Sequence, residues 1–265
     1  MSDSLLENVQ QKIAEGNLAG ALQDLNRALQ SNPGTATVVL QRGMLHLRMH
    51  NYRQALADLD SAIASGIAPA DALGQRSLVK IQLHDYVGAI ADSEQAARLD
   101  PGHFQNYLYQ GLAHFNLGHY ATSIPCFSEA LQRNPSHPES RRLRGMAYCL
   151  CGQFSDGLND IETVLKENTQ DDQAWFWMGY LRQQEEDLAG AVEALSRSIA
   201  LNAYNKAAFV GRGRAYLGLG DPKKALADFL SAQSLDPDWE VLPDLIREAR
   251  RNEDGRGGIF SIFGS

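Results

Sequence analysis

The stretch Gly211 to Asp221, GRGRAYLGLGD, gathers glycines as a phosphate-binding loop does. That chemistry needs a strand leading into the loop and backbone N–H groups converging at a helix start, and no strand-like alternation precedes it. Gly213 and Gly220 belong instead to evenly spaced glycine columns, so no nucleotide is expected there. His46 and His50, four apart on a helix, have a spacing that two metal ligands can use. His46, however, shares a column with Tyr148 and Tyr216, and His50 shares one with His84, which assigns them to packing and to a turn. The three cysteines include Cys149 and Cys151 around Leu150 and show no metal-ligand spacing, which points to reduced cytoplasmic thiols. Asp171, Asp172, Glu185, Glu186 and Asp187 read as solvated helix ends in favourable contact with the helix dipole. No Ser, His and Asp set stands out. The expectation is a chain without catalytic residues, metal or cofactor, an enzyme subunit being the most distant alternative.

Composition limits the partners. The chain has 265 residues, 44% of them hydrophobic, and a formal net charge of −8. That excludes wholesale disorder and argues against nonspecific binding to a phosphate backbone, which needs a basic stripe. No segment approaches the about 18 consecutive apolar residues of a membrane span. The start, MSDSLLENVQQK, has neither the basic nor the apolar region of a secretory leader, so a cytoplasmic protein is expected.

The elements that would position any site come from an internal repeat. HDYVGAIADSEQAARLDP at 84–101 and GHYATSIPCFSEALQRNP at 118–135 are offset by 34 residues, and the same frame runs without insertion through seven windows. These cover 2–35, 36–69, 70–103, 104–137, 138–171, 172–205 and 206–239. Apolar residues recur at three and four, so each window reads as two helices and a short turn. Gly16, Gly118, Gly152 and Gly220 suit a left-handed helix end. Asn17, Asn51, Asp85, Asp187 and Asp221 suit the following N-cap, Pro222 suits a first helical position, and Pro33, Pro101, Pro135 and Pro237 close second helices. Gly43, Gly111, Gly145, Gly179 and Gly213 lie inside first helices, where glycine costs about 1 kcal/mol relative to alanine. The small column Ala21, Ala55, Ala89, Ser123, Gly157, Ala191 and Ala225 is expected opposite them, letting two backbones approach. A further column, Ala28, Ala62, Ala96, Ala130 and Ala232, is expected to pack on the next repeat. Pro125, within a second helix, should remove one backbone hydrogen bond and bend it.

These glycine and alanine columns, with the turn residues Leu18, Tyr52, Tyr86, Tyr120, Phe154 and Leu188 and the terminal prolines, resemble the tetratricopeptide repeat family over about residues 2–239. Val9 and Ser77 depart at the glycine, Val164 and Ser198 at the later alanine, and Ile67, Thr169 and Ala203 at the proline. The resemblance implies an all-α, right-handed superhelical solenoid of seven helix-turn-helix repeats, whose first helices line a groove that docks peptides, helices or protein segments. Trp239 onward, WEVLPDLIREARRNE, reads as a lone capping helix over 240–253, because Arg247 occupies the column where glycine would admit a second helix. Residues 254–265 are a glycine-rich, locally apolar tail with Ile259, Phe260, Ile262 and Phe263.

Two further columns co-vary. Arg42, Arg76, Arg144 and Arg212 occur in windows that supply Asp58, Asp92, Asp160 and Asp228, whereas the fourth and sixth windows carry Gln110 with Cys126 and Met178 with Ala194. An Arg–carboxylate bridge within each repeat is expected, with an architectural role. The candidate partner surface is the opposite stripe of the first helices: Leu40, Met44, Leu47, Leu78, Ile81, Leu108, Leu112, Phe115, Met146, Phe176 and Tyr180. Either neighbouring first helices or a partner must cover it. Family members that capture acidic C-terminal carboxylates carry a lysine- and asparagine-containing clamp, and this stripe has Met44, Leu78, Leu112, Met146 and Tyr180 instead. The leading expectation is a non-enzymatic scaffold binding an apolar or amphipathic segment, with self-assembly through the tail as a variant. A peripheral membrane adaptor using Phe260 and Phe263 is the alternative.

Overall fold

A computed structural model describes residues 2–32 and 35–254. Among the described residues there are fifteen α-helices and no strand. They run in consecutive pairs: α1 (Ser2–Ala14) with α2 (Leu18–Ser31), α3 (Ala36–Arg48) with α4 (Tyr52–Ala64), α5 (Pro69–Gln82) with α6 (Tyr86–Leu99), and α7 (Phe104–Asn116) with α8 (Tyr120–Arg133). Then come α9 (Pro138–Leu150) with α10 (Phe154–Glu167), α11 (Asp172–Gln184) with α12 (Leu188–Leu201), α13 (Lys206–Gly218) with α14 (Pro222–Leu235), and α15 (Leu242–Glu253). The chain divides into two compact units, Met1–Ser140 and Arg141–Ser265, the division falling inside α9.

Within a pair the turn passes through one left-handed residue. Gly118 and Gly220 reach φ 77° without a Cβ clash, while the same place is held by His50 at φ 58° and His84 at φ 62°. Each histidine is tied by its Nδ1 to a tyrosine hydroxyl two residues on, Tyr52 at 2.8 Å and Tyr86 at 2.7 Å, which offsets the strained backbone. The next helix is then capped: Asn17, Asp85, Asp187 and Asp221 accept from the N–H groups of Gly20, Gly88, Gly190 and Lys224. Asn51 makes no such bond. Its amide faces His46 Nδ1 at 3.4 Å, so that expected cap is replaced by a contact back to the first helix. Pro101, Pro135 and Pro237 follow the ends of α6, α8 and α14, and Pro33 lies outside the described residues. Helix α8 continues through Pro125. The carbonyl that proline deprives belongs to the exposed Ala121, where water can satisfy it.

The packing of the glycine column adds a large side chain to the expected meeting of small residues. A Cβ built on Gly213 would lie 2.5 Å from Phe229 Cε1, one on Gly111 2.7 Å from Phe127 Cε1, and one on Gly179 2.4 Å from Leu195 Cγ. The glycine thus receives a large side chain of the paired helix, four residues after the small column. Phe127, Phe229, Leu59 and Ile161 are fully buried in this way. The small column does approach the backbone of the glycine column, as a Cβ on Gly157 would sit 3.1 Å from the carbonyl oxygen of Gly145. Where Ser77 replaces the glycine, the knob shrinks to Ser93, and Ser77 Oγ donates to the Ala89 carbonyl at 2.9 Å.

Each core is a string of interhelical clusters. One joins Leu40, Ala55, Leu59 and Ala62 to Ala72 and Val79 of the next pair, which places Ala62 against its successor as its column implies. Another joins Val210, Ala225, Phe229 and Ala232 to Leu242, Leu245, Ile246 and Ala249 of α15. Helix α15 therefore covers the last pair with its single apolar stripe and turns Arg247 and Arg250 outward.

Candidate functional site

Within the first unit, α3, α5 and α7 supply a depression of about 450 Å³. Met44, Leu47 and Leu78 are lined up there with Tyr52 and Tyr109, and Arg48, Gln75 and Gln82 stand among them. Within the second unit a depression of about 300 Å³ lies between α11 and α13. Phe176, Tyr180, Val210 and Trp239 give it an apolar lining, and Arg214, Gln183 and Gln184 add polar groups. Volumes of this size lie in the range of about 300–1,000 Å³ typical of binding pockets.

Helix periodicity explains the arrangement. Residues 44, 47 and 48 on α3 and 78 and 82 on α5 recur at three and four and so share one face of each helix. Small residues open the second depression: Ala207 and Gly211 on α13 stand opposite the aromatic Phe176 and Tyr180 of α11. Gln183 Nε2 donates to the Gly211 carbonyl at 2.8 Å, fixing one wall. Burial pushes the Tyr109 and Tyr180 hydroxyls up from their ordinary value, so both meet a ligand as neutral groups. Arg48 and Arg214 are exposed.

Five residues of the expected surface line these depressions: Met44, Leu47, Leu78, Phe176 and Tyr180. Leu40, Ile81 and Leu108 do not belong to an open surface, being only 6%, 6% and 5% exposed. Leu40 and Ile81 are packed into the clusters between successive helix pairs, so the chain itself covers that edge of the stripe. Leu112, Phe115 and Met146 are half-buried and line neither depression. Phe115 packs edge-on against Tyr120, with ring centroids 5.1 Å apart. Ile259, Phe260, Ile262 and Phe263 lie outside the described residues. Sequence reading missed Gln75, Tyr109 and Gly211, although their common column beside the Met44 column was visible as a second 34-residue series. It also missed Trp239 and Val241, which the chain brings back beside α13 only after α14.

The arginine column forms forked pairs inside the helix pairs. Nε and Nη2 reach the two carboxylate oxygens at 2.8 and 2.7 Å for Arg42–Asp58, 2.8 and 2.7 Å for Arg76–Asp92, 2.8 and 2.8 Å for Arg144–Asp160, and 2.9 and 2.7 Å for Arg212–Asp228. These bonds hold all four guanidinium groups above their ordinary pKa. A second partner was not anticipated: Nη1 of Arg42, Arg76 and Arg212 donates to Asn26, Asp60 and Ser196 of the preceding pair at 3.0, 2.7 and 3.0 Å. Each of these arginines therefore ties three helices. In the first pair Lys12 and Asn8 bond Asp24 instead.

Among the described residues no group of three or more His, Cys, Asp and Glu side chains could hold a metal ion. Burial pushes the thiols of Cys126 and Cys149 up to about 11 and about 12, while Cys151 is exposed. No helix of the described residues is long and apolar enough to cross a membrane.

A family model described as Tetratricopeptide repeat matches residues 104–137, and another of the same description matches 40–104, 152–206 and 178–238. No curated protein matches the sequence. Similar solved structures include a tetratricopeptide repeat protein from Parabacteroides merdae, 19% identical, with a TM-score of 0.67 over 94% of this chain and 98% of that one. The APC/C hetero-tetramer Cut9–Hcn1 aligns with a TM-score of 0.75 at 17% identity over 91% of this chain, which spans 48% of that one. YrrB, described as having an unusual peptide-binding site, aligns at a TM-score of 0.50 and 17% identity over 84% of this chain and 97% of its own. At these identities the likeness is one of fold.

Proposed function

Because the chain belongs to the tetratricopeptide repeat family, a protein-interaction scaffold, we propose that it binds an apolar or amphipathic peptide segment on the first-helix face. The family assignment supports a protein or peptide partner, and the peptide-binding site named for YrrB is in keeping with it. In this reading residues 2–239 are seven repeats and 240–253 a cap. The observation that carries the proposal is that each unit has a depression there floored by side chains the fold leaves half-covered, Met44, Leu47 and Leu78 in one and Phe176 and Tyr180 in the other. Burying those groups under a helix or extended segment would supply most of the affinity, at about 25 cal/mol per Å² of apolar surface removed from water. Gln75, Gln82 and Gln184 add amide donors and acceptors suited to a peptide backbone.

The test compares partners captured by the purified chain with those captured by Leu78→Asp and Tyr180→Asp, each checked for native helix content by circular dichroism. Loss of the same partners from folded variants supports the reading. Identical partner lists overturn it.

A further inference from the structure

A third cavity, of about 550 Å³, lies in the second unit and shares no lining residue with the first-helix depressions. Its origin is legible by comparing α11/α12 with α13/α14. The Arg212 guanidinium is held by Asp228 and Ser196 and lies 5.8 Å from the centre of the Phe209 ring and 6.0 Å from that of Tyr216. Moving each of these four residues back by one 34-residue step gives Ala194, Glu162, Trp175 and Arg182, and all four line the cavity. So does Met178, which stands where the arginine would be. The cavity is thus the place that a guanidinium fills in the following pair.

We propose that this cavity receives the side chain of an arginine presented by a protein partner. Met178 and Ala194 have removed both members of the internal pair, but the acceptor contributed by the preceding helix pair remains as Glu162. Helix α12 adds Glu193, where Ala57, Ala91 and Ala227 stand in three of the pairs that carry their own arginine. Trp175 presents a broader π face than Phe209, and its Nε1 donates to the Thr169 carbonyl at 2.9 Å, which holds the ring in place. Three carboxylates line the cavity, Glu162, Asp187 and Glu193, against two cations. Of those cations, Arg182 is drawn to Glu185 at 3.2 Å and Asp187 at 3.9 Å, and Lys166 sits 3.9 Å from Glu162 with a side chain 75% exposed, free to move aside. A planar fork suits this setting better than an ammonium, since it can lie on the indole while pairing with carboxylate oxygens at its edge.

The experiment titrates the full chain with three capped tripeptides, Ala-Arg-Ala, Ala-norleucine-Ala and Ala-Glu-Ala, and follows the indole N–H resonance of Trp175, assigned from Trp175→Phe. The expected result is a saturable shift with the arginine peptide and binding at least about tenfold weaker with the other two. Glu162→Gln should weaken the arginine peptide by about tenfold. The double change Met178→Arg with Ala194→Asp rebuilds the internal pair and should abolish binding while melting no lower than the wild type. Equal response to the three peptides, no saturable response, preference for the glutamate peptide, or an unchanged response in Glu162→Gln would each overturn the proposal. Glu162 is half-exposed and lies outside the core, so its substitution decides the matter even where the double change fails to fold.

Discussion

Helix pairs α11/α12 and α13/α14 are neighbours in one unit, share a repeat frame, and differ at the arginine joint. Both seat a large side chain against a helix glycine, Leu195 on Gly179 and Phe229 on Gly213. Only the second adds the arginine fork, Arg212 to Asp228 and Ser196. The first has Met178 and Ala194 in place of the arginine and aspartate, keeps Glu162 at the place of Ser196, and leaves a cavity. The comparison teaches that knob-in-glycine packing makes the pair, while the ion pair fills a space that the pair can tolerate open. A buried bridge is costly to desolvate, so its absence need not weaken the stack, whereas breaking half of it must.

The largest expected effect breaks what the two pairs share. Phe229→Ala removes a fully buried ring and should cost about 3–5 kcal/mol in urea denaturation. Leu195→Ala should fall toward the low end of about 2–5 kcal/mol, because Leu195 already borders the α11/α13 depression. Next comes what they do not share. Asp228→Ala strands the Arg212 guanidinium, whose side chain is 19% exposed, and should cost about 2–3 kcal/mol. Removing both partners with Arg212→Met and Asp228→Ala copies the α11/α12 joint, so the double variant should recover to within about 1 kcal/mol of wild type in the same assay. A double variant no better than Asp228→Ala would break the comparison.

The smallest effect is a titration in the fourth pair, which also lacks the arginine. Burial, with His119 nearby, lowers the pKa of His114 from 6.5, and its Nδ1 is buried without a hydrogen-bond partner. The unfolded chain therefore takes up the proton first. The stability tied to this group is fully present above pH 6.5 and is lost as pH falls through the lowered folded value. His114→Gln should flatten the melting temperature over that acidic window, leaving a residual slope from His46, which burial lowers in the same direction.

The chain's own residues settled much of this. A 34-residue period with glycine, small, Asn/Asp and proline columns is enough to dictate helix pairs, because each column answers a local steric or hydrogen-bonding demand that the backbone makes at one place. The co-variation of Arg42, Arg76, Arg144 and Arg212 with their aspartates carried the pairing within each repeat in the same way, and the structure added its forked geometry. What tertiary structure decided were the questions of who occupies a given space. It seated Phe229 on Gly213, drew Asn51 to His46, buried Leu40, Ile81 and Leu108 beneath neighbouring helices, and brought Trp239 into the depression that Tyr180 lines. It also turned the unremarkable pair Met178 and Ala194 into the floor of a cavity. Period and residue type specify which face a side chain occupies, but volume is filled by side chains from several helices at once, and only their joint packing tells which part of a face is left for a partner.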